Sequence, residues 1–280
     1  MTHTYFVRHT KRDTFGPSLR DQFLEEERFG IHFDDTRSLN PEDYTTAQGR
    51  AAIAYMNDMA RTGAYVCASF WGKSSACMVG KVAPGSVVEI VGQEHNVCFK
   101  SLRLNDVRHL IGSDARRLLL LAPRQGTLRK WRAVQGRVEQ WVRKGKVAVT
   151  GVSDLLYFEQ EVMCGEFMRL SKRKPRDLPR LVCMQARVGG TQEAVDVSGV
   201  DEDNNWILAQ VTNHRKLGPE VFKKAAALKE AGSNQSGRQL VMFCHTNEIT
   251  SEDGVLYVPL DLVFEEMKKH RAWRTSVGML

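Results

Sequence analysis

Asp196 and Gln210 are the residues of this chain whose type and spacing most suggest chemistry. Asp196 lies in the apolar segment Ala194-Val195-Asp196-Val197-Ser198-Gly199, and Gln210 in Trp206-Ile207-Leu208-Ala209-Gln210-Val211-Thr212. A turn sequence, Asp201-Glu202-Asp203-Asn204-Asn205, separates them. The pattern predicts a β-hairpin with its polar residues near the strand ends. Carboxylate and amide oxygens are hard donors of the kind that hold small divalent cations. A plainer reading stands beside this one, in which Asp196 caps a turn and Gln210 satisfies backbone groups at a strand end.

Other chemistries find less support. His32, His95, His109, His214 and His245 are isolated, with no H-x-x-x-H pair. Cys67, Cys77, Cys98, Cys164, Cys183 and Cys244 form no C-x-x-C, so they read as reduced core thiols rather than a zinc site or a disulfide framework. A serine elbow, Gly-x-Ser-x-Gly, is absent. Gly72-Lys73-Ser74 looks like the end of a phosphate-binding loop, but Cys67 fills the position where that loop needs its first glycine.

The elements that must position Asp196 and Gln210 follow from periodicity. Ser153 is expected to cap a helix containing Leu156, Phe158, Glu161, Val162, Cys164, Phe167 and Met168. An apolar strand over 181–184 comes next, then a turn at Gly189-Gly190 that feeds the hairpin. A helix over 219–231, strands over 240–244 and 255–258 and an end helix over 260–269 complete an α-β-β-β-α-β-β-α order. In the first half, residues 1–40 read as polar and irregular, with Asn40 or a neighbour as a helix cap and Pro41 in the first turn. A helix over 47–60 is followed by strands at 65–71, 76–82 and 87–91. Four leucines at 118–121 read as a buried strand, and 126–146 as one basic amphipathic helix. The expected domains are a recognition domain over 1–125, a helical linker over 126–152 and an α/β domain over 153–280.

The order over roughly 153–270 resembles the core of the PD-(D/E)XK restriction-endonuclease-like superfamily, its Mrr-like branch in particular. In that branch an early helix carries an acid, a strand carries Asp, and the next strand carries Glu or Gln, a spacer, then Lys. The matching positions are Glu161, Asp196 and Gln210. The resemblance implies Mg²⁺, or Mn²⁺, held by Asp196, Gln210 and Glu161 against a scissile phosphate. The lysine that would orient the attacking water is replaced by Thr212. Either Lys216, Lys223 or Lys224 substitutes for it, Lys216 being the first candidate for the catalytic set, or the domain binds nucleic acid without cutting. The implied fold is a restriction-endonuclease-like mixed sheet flanked by helices. The implied function is a metal-dependent DNA endonuclease of restriction or anti-phage defence. The alternative is a degenerate nuclease fold that senses nucleic acid or a nucleotide.

The first half is similar, more loosely, to the PUA-like superfamily with its EVE-type readers of modified bases. The similarity rests on Phe29-Gly30-Ile31-His32-Phe33, Ala68-Ser69-Phe70-Trp71 and Val79-Gly80-Lys81-Val82-Ala83-Pro84-Gly85-Ser86. It implies an α+β, β-barrel-like domain that stacks an extruded base on Phe70, Trp71, Tyr65 or Phe33. Ordinary aromatic packing is the open alternative.

Charge supports a nucleic-acid partner. The 280-residue chain carries a formal +7, and residues 103–146 hold twelve Lys and Arg against Asp106, Asp114 and Glu139. Arg116, Arg117, Arg124, Lys130, Arg132 and Arg137, with Trp71, are the expected DNA contacts; a solvated helix face would show the same charges. No apolar run reaches the roughly 18 residues that span a bilayer, and the N-terminus lacks a secretory pattern, so a cytoplasmic location is expected. Self-association and partner subunits of a defence complex stay open.

Overall fold

The computed structural model describes residues 2–10, 16–73, 75–91, 97–123, 125–134, 136–185, 194–234 and 237–277. The chain divides into two compact units, Met1–Val147 and Ala148–Leu280. Both combine helices with mixed sheets. Among the described residues no helix is long and apolar enough to cross a membrane.

The first unit begins with structure where polar irregularity was expected. β1 (Thr4–His9), α1 (Pro17–Glu25) and β2 (Arg28–Ile31) occupy the first forty residues. β1 buries Tyr5, Phe6 and Val7. It runs parallel to β3 (Ala64–Phe70), with Val7 beside Ala68 and His9 beside Phe70. Between them lies α2 (Ala47–Thr62), capped by the Thr46 hydroxyl, which accepts the Gly49 N–H, and stopped by Gly63 at φ 78°. Ala52, Ile53, Met56, Met59 and Ala60 recur every three or four residues and are the buried face of this helix, as the spacing predicts. Asn40 caps a single 3-10 turn over Pro41–Asp43 rather than the long helix.

β4 (Ala76–Val82) pairs with β3, and β5 (Glu89–Val91) pairs with β6 (Phe99–Arg103), which also pairs with β2. β7 (Asn105–Ile111) pairs with β4. The leucine run closes α3 (Gly112–Leu119) and continues into the turn after it, and it forms no strand. A four-residue apolar run cannot distinguish the two periods, and here Leu118 is buried while Leu120 is exposed. Asp114 in the first turn and Arg116 and Arg117 in the last complement the helix dipole.

The basic segment expected as one helix is two elements. β8 (Leu128–Lys130) pairs antiparallel with β1, and α4 (Arg137–Lys144) starts only after Gly136 at φ 80°. Leu128, Trp131, Val134, Val138, Trp141 and Val142 are all buried, so the apolar spacing was real, but the left-handed glycine breaks it in two. This segment therefore contributes a strand to the first unit's sheet. That sheet, ordered β7-β4-β3-β1-β8, ends in β7 and β8 and stays open, and β2-β6-β5 forms a separate three-stranded sheet. Among the described residues the first unit thus forms no closed barrel.

The second unit follows the expected order closely. A 3-10 turn at Val152–Asp154 precedes α5 (Tyr157–Arg169). Ser153 is not the cap of α5, because the helix begins four residues later. The Glu159 carboxylate instead reaches back to accept the Leu156 N–H at 2.9 Å. β9 (Cys183–Gln185), β10 (Val197–Val200), β11 (Trp206–Arg215), α6 (Pro219–Ala231), β12 (Gln239–His245), β13 (Thr250–Glu252), β14 (Val255–Pro259), α7 (Leu260–Met267) and α8 (Arg271–Val277) complete it. The sheet order is β13-β14-β12-β11-β10-β9, with β11, β12 and β14 parallel and the remaining pairs antiparallel. Val221, Ala225 and Leu228 of α6 pack with Leu208, Leu240, Met242 and Tyr257. The Gly189-Gly190 turn lies outside the described residues.

Candidate functional site

The β10–β11 hairpin fixes the register that brings the two anchor residues together. At its turn, the Asp201 carboxylate accepts the Asp203 N–H (2.9 Å), the Asn205 N–H (2.8 Å) and the Gln239 side-chain amide (2.9 Å), while Asn204 takes φ 62°. An Asx turn of this kind pre-forms the reversal. Val197 then pairs with Ala209. One step beyond, the Asp196 N–H donates to the Ala209 carbonyl at 2.7 Å. Asp196 Oδ2 accepts the Val211 N–H at 2.7 Å and also a short hydrogen bond from Gln210 Nε2.

Gln210 is 3 % exposed, and its Oε1 is buried with no donor among the described residues. An acceptor in that position forfeits its solvation without a replacement, at a cost of about 1–3 kcal/mol. The oxygen of a buried amide next to a carboxylate suits a hard cation. Glu161 lies on α5, three residues before the buried Cys164. Burial first, and then the negative charges of Asp196 and Glu161, push the Cys164 thiol well above its ordinary range. Both carboxylates therefore act on one sulfur.

Among the described residues no three His, Cys, Asp or Glu side chains form a metal-binding group. The protein donor for a cation here would be the Asp196 carboxylate, and Gln210, whose Nε2 faces that carboxylate, would add Oε1 only with its amide turned over. That set fits Mg²⁺ in kind, because this ion is commonly held by one or two carboxylates and keeps several waters.

The lysines are elsewhere. Lys216 Nζ donates to Thr250 Oγ1 at 2.7 Å, stands 3.2 Å from Glu252 and lies 4.9 Å over the Tyr257 ring. Thr250 and Glu252 belong to β13 and Tyr257 to β14, three and two strands from β11 on the side away from β10. The structure does not bring Lys216 to Asp196. Lys223 is exposed and Lys224 half-buried on α6, and neither forms an ion pair among the described residues. Thr212 is buried, and its hydroxyl accepts the His214 N–H at 3.4 Å.

In the first unit the expected contacts differ in exposure. Arg116 and Arg132 are exposed, and Arg117 and Lys130 half-buried. Arg137 is 4 % exposed, so a phosphate cannot reach it; the side chain is folded into the unit at the first turn of α4. Arg124 lies outside the described residues. Trp71 is half-buried beneath the Arg20 guanidinium, 4.8 Å from its ring, and lines a cavity of about 380 Å³ with Phe6, Phe70, Arg8, His9 and Lys73. Tyr65 does not join it, and its hydroxyl bonds Glu139 at 3.2 Å.

His9, unremarked in the sequence, is the floor of this cavity. It stacks on Phe70 with centroids 4.3 Å apart, places Nδ1 3.1 Å from the Ser69 carbonyl and accepts the Gly30 N–H on Nε2 at 3.3 Å. Burial lowers its pKa to about 4, so the ring is neutral at pH 7. No local pattern marks it, because the strand character of β1 comes from its parallel pairing with β3.

No family model and no curated protein matches the chain. Among solved structures, the MspJI restriction endonuclease in complex with a 27-mer oligonucleotide is similar at 12% identity and a TM-score of 0.29, over 98% of this chain and 79% of that one. The EndoMS–dsDNA2 complex is similar at 9% identity and a TM-score of 0.23, over 80% of this chain and 91% of that one. Scores of this size carry no argument about fold or activity. The functional reading rests on the geometry.

Proposed function

We propose that this chain binds DNA and that Asp196 and Gln210 form a metal-assisted phosphodiesterase site. The observation that carries the reading is the pairing of Asp196 with Gln210, whose Oε1 is buried and has no donor among the described residues. Asp196 and Gln210 would hold Mg²⁺, and the ion when bound would supply Lewis-acid chemistry toward a phosphoryl oxygen. The Val211 N–H holds the Asp196 carboxylate in place, and the hairpin register sets Gln210 against it. In the first unit, Trp71 and the cations Arg8 and Lys73 suit a stacked base and its phosphates. Incubation of plasmid DNA with the full chain and Mg²⁺ or Mn²⁺ tests the reading. Metal-dependent cleavage abolished by Asp196→Asn supports it, and intact DNA under every condition removes the enzymatic part.

A second reading, DNA binding without cleavage, is favoured by the commitment of Lys216 to Thr250 and Glu252. It expects metal-independent binding that survives Asp196→Asn.

A further inference from the structure

The parallel strands β11 and β12 end on one rim of the second unit, where a cleft of about 980 Å³ opens. In open sheets, ligands bind beyond the carboxyl ends of such strands. Asn213, Arg215, Leu217, His245 and Glu248 are among its walls. Two of its polar side chains already have neighbours. Lys216 meets Glu252 at 3.2 Å, and His245 stands 3.7 Å from Asp261. Arg215 is exposed and forms no ion pair among the described residues. Two residues on, Leu217 is 76 % exposed, and Phe222, 49 % exposed, follows on α6 next to the exposed Lys223.

From these placements we infer that the β11–α6 connection is a duplex-DNA contact, with Arg215 taking a backbone phosphate and Leu217 pressing against the sugars or base edges of the groove. The inference rests on the DNA-binding reading above and extends it from Asp196 and Gln210 to the carboxyl end of the same strand. A guanidinium with no ion pair among the described residues is the donor that a phosphate needs. An exposed leucine two residues after such a guanidinium is placed so that the apolar side chain meets the groove while the cation holds the backbone. Glu248 opposes the phosphate charge. The inference therefore requires that removing that carboxylate tighten binding.

Fluorescence anisotropy of the full chain on a labelled 30-base-pair duplex, titrated across salt, tests this. Arg215→Ala is expected to weaken binding about three- to tenfold and to lower the slope of log affinity against log salt by about one. Arg215→Lys should restore the slope, and Glu248→Gln should tighten binding. Unchanged affinity and slope for Arg215→Ala, in a variant that melts like the parent, overturn the inference while leaving the Asp196 reading intact. Binding that depends on Arg215 in a chain that never cuts upholds the inference and defeats the phosphodiesterase. If a 5′-mononucleotide needs Arg215 but the duplex does not, the cleft serves a small ligand and the inference fails. A parent chain that binds no duplex overturns both.

Discussion

The Asp196 carboxylate accepts the Val211 backbone N–H at 2.7 Å, so the residue that would bind a cation also completes the β10–β11 ladder. Removing the side chain strands a backbone donor as well as a ligand. Asp196→Ala is expected to lose about 1–3 kcal/mol of stability along with cleavage, whereas Asp196→Asn, which keeps an acceptor oxygen, should hold stability within about 1 kcal/mol and still lose cleavage about a hundredfold or more. Denaturant midpoints read beside plasmid nicking separate the two effects. Equal destabilisation by both variants would count against the ladder role.

Lys216 is tied to Thr250 and Glu252, away from Asp196. Lys216→Met is expected to cost about 1 kcal/mol or less, since half of its ion pair is exposed, and to leave turnover at saturating DNA within about threefold. A collapse of turnover with unchanged binding would show that this ammonium reaches the chemistry.

His9 supplies a pH dependence. Its folded pKa of about 4 lies below the ordinary value of 6.5, so the unfolded chain binds the extra proton first. Stability is therefore full above about pH 6.5 and falls as the pH drops from there to about 4. The linkage predicts a loss of roughly 2 kcal/mol between pH 7 and pH 5 from this residue. His9→Gln should flatten that part of the urea-midpoint profile, and a profile identical to the parent would rule the residue out.

Gly199 is in β10 where a Cβ would fall 2.0 Å from the Cys183 carbonyl oxygen, closer than any contact allows. Gly199→Ala should force β9 away from β10 and cost about 2 kcal/mol or more. Thermal melting checks this, and a melting temperature equal to the parent's would mean that the strands yield freely.

The hairpin around Asp196 and Gln210 was legible because two apolar runs and an Asx-rich turn are local signals, and antiparallel register follows from the turn. Helices α2 and α6 were legible for the same reason, their apolar residues repeating every three or four positions. β1 was missed because six residues with a buried Tyr5-Phe6-Val7 centre do not alternate. Their strand character comes from the parallel partner β3, sixty residues away. The fate of Lys216 was equally hidden. It depends on β13, a three-residue polar strand that exists because it pairs with β14. Gly136 in the left-handed region split a helix whose apolar spacing was otherwise sound.

The outer edge of the first unit's sheet carries its own safeguard. β7 is an outer strand of the sheet, and it presents Asp106, Arg108 and His109 to solvent, with a register irregularity opposite Val79 and Lys81. An outer strand with unsatisfied backbone groups invites another copy to extend the sheet, and charged side chains with an interrupted ladder discourage it. The polar side chains and broken register of β7 therefore set this edge against pairing with a second copy.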